Sequence, residues 1–229
     1  MNFFDINPHV RYVNVSQYLP EMVVGPRKVY DHQFIYVHKG YGWMNIDGVR
    51  YSANPGKLFY YGPGVIHTFI AEKAEPFFLS GVHFDFIKNY TDLEFPIGSF
   101  NLEYFNPEAC TMTPEFSDIE PILHYMDAGK NIRIPQIMLD MLGEFESWKG
   151  YCQQYLDGQM KTLLALVARQ SMLKSCMSSE KRTCHSGISD LIEYIRRNYS
   201  KNITNTKLAE QYHFHPVYLN RVIKAVTGL

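Results

Sequence analysis

Cysteine is scarce. Cys110, Cys152, Cys176 and Cys184 stand far apart and form no CxxC pair. That spacing excludes a zinc knuckle and a dense disulfide framework, and points to reduced thiols in a cytoplasmic protein. No run approaches the roughly 18 apolar residues of a membrane span. The start, Met1-Asn2-Phe3-Phe4-Asp5, has neither the basic nor the apolar region of a signal peptide. Charge of one sign is lacking as well: 22 Lys+Arg face 23 Asp+Glu, a net charge of −1, which excludes a polybasic protein. Catalytic signatures are missing, with no GxSxG, no P-loop and no His-x-His followed by Glu.

What is present suits a folded chain. Of 229 residues 46% are hydrophobic, enough for a sizeable core, and 15% are aromatic, with 17 Tyr and 15 Phe. The length fits one large or two small domains. Charge is unevenly spread: residues 1–179 hold 14 basic and 19 acidic residues, residues 180–229 hold 8 and 4. An acidic body with a basic tail is the asymmetry of a protein whose tail alone meets a polyanion.

Residues 10–90 read as strands. Residues 33–38 are a β-rich run closed by Lys39-Gly40-Tyr41-Gly42. Residues 43–51 alternate around Asp47-Gly48, a hairpin signal. Asn54-Pro55-Gly56 and Gly62-Pro63-Gly64 are further turns, and residues 77–86 are a last strong run. Short strands with a turn every 8–12 residues predict a β-sandwich or small barrel. Residues 116–177 read as helices, with boundaries at Pro114 and Pro121 and another helix opening at Ile134-Pro135. Leu156, Met160, Leu163, Leu164 and Val167 form an apolar stripe that must cover a domain or a second subunit. Residues 175–187 lose the apolar period and read as a linker.

Residues 188–229 turn helical again. Ile188, Leu191, Ile192, Ile195 and Tyr199 follow a helical period. Thr204 is a candidate N-cap, and Leu208, Ala209 and Tyr212 face inward. A short turn leads to His215, a cap, and Pro216 at the first position of a new helix over 216–226. Two short helices joined by a tight turn make a helix-turn-helix. With Leu219, Val222 and Ile223 inward, Val217, Asn220, Arg221 and Lys224 point out. Arginine can read guanine and asparagine adenine, valine can meet a thymine methyl, and lysine with the helix N-terminus at His215 suits phosphates.

Leu208-Ala209, Pro216, Tyr218-Leu219, Arg221, Lys224 and Thr227-Gly228 resemble the first helix-turn-helix of the AraC/XylS family of bacterial transcription regulators. Ile223 replaces the usual Phe, and Asn205 stands where Leu is frequent. Gly40-Tyr41-Gly42, Pro55-Gly56-Lys57-Leu58, Pro63-Gly64-Val65-Ile66-His67 and His83-Phe84 are similar to the family's cupin-like sensor. The resemblance implies an α+β chain: a cupin-like barrel or sandwich over 1–112, a helical dimerisation region over 113–177, a linker over 178–187 and a partial DNA-binding domain over 188–229. Family DNA-binding domains carry a second helix-turn-helix, and this chain ends where the first closes.

The resemblance further implies a small-molecule effector in the barrel, a sugar among the candidates, double-stranded DNA half-sites as the target, and a homodimer with no cofactor. Arg27, Trp43, Tyr60, His67, Phe69 and His83 are the candidate ligand-binding residues. The rival classes are a metal-dependent cupin enzyme and a sensor or dimerisation fragment that no longer binds DNA. Against the first, His32 and His38 share a strand face but lie about 20 Å apart by strand rise. His67 and His83 lack a third histidine and an acid.

Overall fold

Asp47 and Gly48, the hairpin signal, carry φ of 48° and 79° in the computed structural model, the backbone that a two-residue turn requires. The structure describes residues 1–88, 97–129 and 131–178, together with 194–195, 204 and 207–209; side chains of the last long helix are described through residue 171. The chain divides into two compact units, Met1–Leu173 and Lys174–Leu229.

Among the described residues, unit one holds β1 (His9–Gln17), β2 (Val23–Val29), β3 (His32–Lys39), β4 (Gly42–Ile46), β5 (Val49–Ala53), β6 (Lys57–Tyr61), β7 (His67–Ala71), β8 (Phe78–Asp85), β9 (Ser99–Asn101), β10 (Tyr125–Asp127), α1 (Arg133–Ser147) and α2 (Cys152–Ser178). The strands form two antiparallel sheets, β1-β8-β3-β6-β10 and β5-β4-β7-β2-β9. Helices follow the sandwich in chain order.

Strand period decides which residues meet which layer. Ile35, Val37, Phe59, Tyr61 and Leu79 of the first sheet join Met44, Ile46, Phe69 and Ala71 of the second in one core between the sheets. The alternate residues of the first sheet, Phe34, Tyr36, Leu58, Tyr60, Val82 and Phe84, face outward and pack under α1 and α2. That double covering explains why β3 is buried on both faces while β4 alternates.

The stripe on α2 is fully buried: Leu156, Met160, Leu163, Leu164 and Val167 each have 0% exposure. It packs on the first sheet of its own unit, so it is filled within the chain and carries no argument for a dimer. Pro135 lies in the first turn of α1, where the missing N–H costs nothing.

Two expectations for residues 116–132 are corrected. No helix forms around Pro114 and Pro121, and residues 111–124 run as bends and extended chain. Each proline disfavours a helical conformation at the residue before it, and the six residues between them are too few for a stable helix. Within the region expected to be helical, Tyr125–Asp127 instead adds a strand to the open edge of β6. Three residues are too short to display a period.

Gly42 marks a close approach of β4 to its neighbours. A Cβ there would lie 2.1 Å from the Ile70 carbonyl oxygen and 2.5 Å from the Phe77 ring. Gly42→Ala is therefore expected to lower stability by about 1–3 kcal/mol. A fall in the calorimetric melting temperature would show this, and an unchanged melting temperature would contradict the close contact.

In unit two, Thr204 Oγ1 accepts the N–H of Lys207 at 3.4 Å, and the Thr204 carbonyl accepts that of Leu208 at 3.1 Å. This is N-cap geometry. Leu208 and Ala209 are buried. His215, Val217, Asn220, Arg221 and Lys224 lie outside the described residues. No helix among the described residues is long and apolar enough to cross a membrane.

Candidate functional site

Polar side chains cluster between the two sheets. β2 carries an irregularity between Val24 and Arg27 that brings Arg27 opposite His67 on β7. Gly25, at φ 121°, lets the backbone pass the His67 carbonyl, where a Cβ would sit 2.6 Å away. Arg27 Nε donates to His67 Nε2 at 3.2 Å. His67 must then carry its proton on Nδ1, which donates to the Val65 carbonyl at 3.2 Å. The ring stacks on Tyr61 at 4.1 Å. Burial first, then the Arg27 charge, pushes His67 down to about 3, so the ring is neutral.

Arg27 is half-buried and lies over the Phe69 ring, 5.4 Å from its centroid. Tyr18 stacks on Phe69 at 5.8 Å, close enough to Arg27 to feel its charge. Burial raises the Tyr18 hydroxyl and outweighs the opposing arginine. Tyr61 donates its hydroxyl hydrogen to Gln33 Oε1, and burial holds that proton firmly.

A second part of the cluster is ionic. Asp31, with 0% exposure, accepts from His83 Nδ1 at 2.7 Å. Arg11 Nη1 donates to Asp85 Oδ2 at 3.3 Å, and its Nε lies 3.7 Å from Asp31 Oδ2, an ion pair too long for a hydrogen bond. Arg11 sits at an irregularity in β1 between Val10 and Tyr12.

The residue before it is held by α2. Val10 N–H donates to Asp157 Oδ1 at 2.8 Å, and its carbonyl accepts from Gln153 Nε2 at 2.9 Å. Burial would raise the Asp157 carboxyl, but bonds from His9, Val10 and Gln153 together hold it below the usual range. One backbone step thus separates the interior ion pairs from a helix.

Of the six expected ligand residues, Arg27, His67, Phe69 and His83 belong to the interior. Trp43 and Tyr60 do not join them. Trp43 alternates with the inward Met44 and Ile46, and its outer face is covered by the Arg50 guanidinium 4.1 Å away. Tyr60 points toward the helices and bonds to His32 Nδ1 at 2.9 Å. There it borders a cavity of about 450 Å³ with Phe86, Phe116, Ile119 and Ile122. Burial lowers the neutral His32 to about 4.

Sequence reasoning missed Arg11, Asp31, Gln33, Tyr61 and Asp85. The one available signal was spacing: His83 and Asp85 are two apart and share a strand face. Among the described residues no group of three or more His, Cys, Asp or Glu is arranged to hold a metal ion.

The family model for the AraC-like ligand binding domain matches residues 15–109, which include every interior residue above except Arg11. Solved structures are similar at low identity. A salicylate 1,2-dioxygenase from Pseudaminobacter salicylatoxidans shows 17% identity over 31% of this chain and 20% of its own, with a TM-score of 0.30. A cupin protein from Bacteroides fragilis shows 14% over 38% and 76%, with a TM-score of 0.31. Apo ToxT from Vibrio cholerae shows 11% over 93% and 74%, with a TM-score of 0.46. The chain thus spans about a fifth of the length of the dioxygenase it matches. No curated protein matches it significantly.

Proposed function

We propose that this chain is a ligand-responsive, DNA-binding transcription regulator of the AraC type. The observation that carries this reading is a coincidence of place. The segment matched as an AraC-like ligand binding domain is the one that holds the Arg27–His67–Tyr61–Gln33 cluster. A few fixed polar groups among aromatic side chains are the kind of lining that small-molecule sites use. Arg27, His67, Phe69 and His83 bind the effector in this reading.

DNA is read by the helix predicted over 216–226. Arg221 and Asn220 address base edges, Val217 a thymine methyl, and Lys224 and the helix start at His215 the phosphates. Two chains meet two half-sites as a homodimer.

The contact between β1 and α2 supports a route for the signal. An effector that draws on His83 or Asp31 alters the Arg11 pairings. Val10, the residue before Arg11, transmits the shift to Asp157 and Gln153 on α2, which continues in the chain toward unit two. Coupling of about 1–3 kcal/mol is enough for a useful switch.

A mobility shift on DNA from upstream of the chain's own gene tests the reading. Specific retardation is expected, weakening steeply with salt as phosphate contacts lose their counterion advantage. Arg221→Ala is expected to weaken it about tenfold or more and to relax specificity. No specific retardation even at low salt would overturn DNA binding by this chain and leave the sensor or dimerisation fragment.

A further inference from the structure

The cavity of about 450 Å³ on the outer face of the first sheet lies apart from the polar cluster between the sheets. Tyr60 on β6 and Phe86, just past β8, form its sheet side, and its other walls come from residues 113–122. Phe86 and Phe116 meet edge to face at 5.2 Å, and Ile119 and Ile122 extend the apolar lining. Mostly apolar pockets of about 300–1,000 Å³ take small molecules. An apolar cavity of about 150 Å³ already admits benzene, so this one has room for a body of one or two rings.

One buried polar side chain sets the chemistry. Of the polar residues around the cavity, Tyr60 is buried, whereas Thr113 and Glu115 are exposed. The Tyr60 hydroxyl ends a hydrogen-bonded chain whose direction is fixed at its other end. The Met112 carbonyl can only accept, so His32 Nε2, 3.2 Å away, carries the hydrogen. The ring is neutral, because it is buried among Tyr60, Phe84 and Phe86, so its Nδ1 has no hydrogen and accepts. Tyr60, with its oxygen 2.9 Å from Nδ1, is therefore the donor of that bond. Its hydrogen is engaged, and its oxygen keeps lone pairs for an incoming O–H or N–H. A carboxylate or ketone offers acceptors only, and would meet that oxygen with no hydrogen to share. Residues 113–122 also carry Glu115, Asp118 and Glu120 and no Lys or Arg, which disfavours an anion.

We propose that this cavity is a small-molecule site distinct from the cluster between the sheets. Its ligand is a neutral aromatic molecule of one or two rings with a single hydrogen-bond donor, a phenol or an indole. The donor bonds to the Tyr60 oxygen, and the rings lie against Phe86 and Phe116. His32 is the positioning residue, since it holds the Tyr60 hydroxyl hydrogen away from the ligand. The site shares no residue with the Arg27–His67 cluster, so it stands or falls independently of the sensor reading.

The test titrates the full chain with phenol and indole, with toluene and N-methylindole as counterparts that lack the donor, and with benzoate as the anion. Calorimetry reads affinity, and NMR of isotope-labelled histidine compares the ring nitrogens of His32 and His67 to locate binding. Phenol or indole is expected to bind in the millimolar range or tighter, about fivefold or more above its counterpart, and to shift His32 rather than His67. Tyr60→Phe should bring each pair to within about twofold while the apolar body still binds. Because that variant also takes a partner from His32, a second one is needed. Ile122→Trp, at a half-buried wall position, fills the cavity and should abolish binding of every probe, with circular dichroism reporting that the fold is kept. Equal binding with and without the donor, benzoate binding above phenol, a donor preference that survives Tyr60→Phe, or binding that survives Ile122→Trp would overturn the proposal. Probes that shift His67 and not His32 would overturn it and support the sensor reading instead. If no probe binds, the proposal is overturned and the sensor reading is untouched, because that reading rests on other residues.

Discussion

Lowering the pH from 7 to about 5 is expected to remove about 4 kcal/mol of folding stability. The cause is two histidines buried in neutral form. His32 and His67 ordinarily titrate at 6.5, but burial brings them to about 4 and about 3 in the folded chain. Below 6.5 the unfolded chain therefore takes up protons that the folded chain refuses. By linkage, stability is complete above 6.5 and falls as the pH drops toward the folded values, by about 1.4 kcal/mol per pH unit for each histidine.

The surroundings of each ring support this sign. His32 lies among Tyr60, Phe84 and Phe86 with both nitrogens bonded, Nδ1 to the Tyr60 hydroxyl and Nε2 to the Met112 carbonyl. Nearby Asp31 opposes the downward shift but is outweighed by burial. His67 stacks on Tyr61 and faces the Arg27 cation, which penalises a second positive charge. Asp157 is held low, so its stabilising contribution is lost only at more acid pH, as the pH falls below the ordinary carboxylate range toward its folded value. Urea unfolding followed by circular dichroism between pH 7 and about 5 measures the slope. Two protons' worth of slope is expected, and a slope near zero would show that the two rings are hydrated or charged in the folded chain. His32→Gln should remove about half of it.

Replacing Arg11 with Met is expected to cost about 3–5 kcal/mol, the second large effect. The side chains of Arg11, Asp31 and Asp85 are 2%, 0% and 5% exposed, so water cannot screen what remains. Removing the arginine leaves two carboxylates buried together, and Asp31 keeps its bond from His83. Asp85→Asn added to Arg11→Met should recover part of the loss, because it removes one of the two neighbouring buried charges. Thermal or urea unfolding of the three variants measures both steps. An Arg11→Met variant as stable as the parent would mean that the ion pairs contribute nothing net.

The same cluster explains which of the candidate residues were legible in the sequence as interior ones. Arg27, His67, Phe69 and His83 stood beside turn and strand signals, and strand period carries each of them between the sheets. Trp43 and Tyr60 met the same chemical criteria, yet lie on the other side of their strands. One residue of register separates an interior site from an outer face, and composition does not report it. Arg11 was invisible because its inward placement depends on an irregularity in β1 opposite β8. Asp31 and Asp85 become a pair only through that arginine, 20 and 74 residues away in the chain.

The helical part divides in the same manner. The stripe from Leu156 to Val167 specified α2 by itself, because a 3.6-residue period over three turns has few alternatives. What covers the stripe was not in it, since a sheet and a second subunit present the same apolar surface. Folding supplied the sheet. Pro114 and Pro121 are breakers too close together for a helix to form between them, so prolines that could bound helices instead exclude one.

Local signals thus determined most of the strands, their turns, α2 and the cap at Thr204, because each rests on neighbours within a few residues. The tertiary structure alone decided which face of each strand looks inward and which arginine meets acids. Those outcomes depend on register and on contacts between residues far apart in the chain, where pairing across the sheets sets distances of a few ångströms that no local pattern encodes.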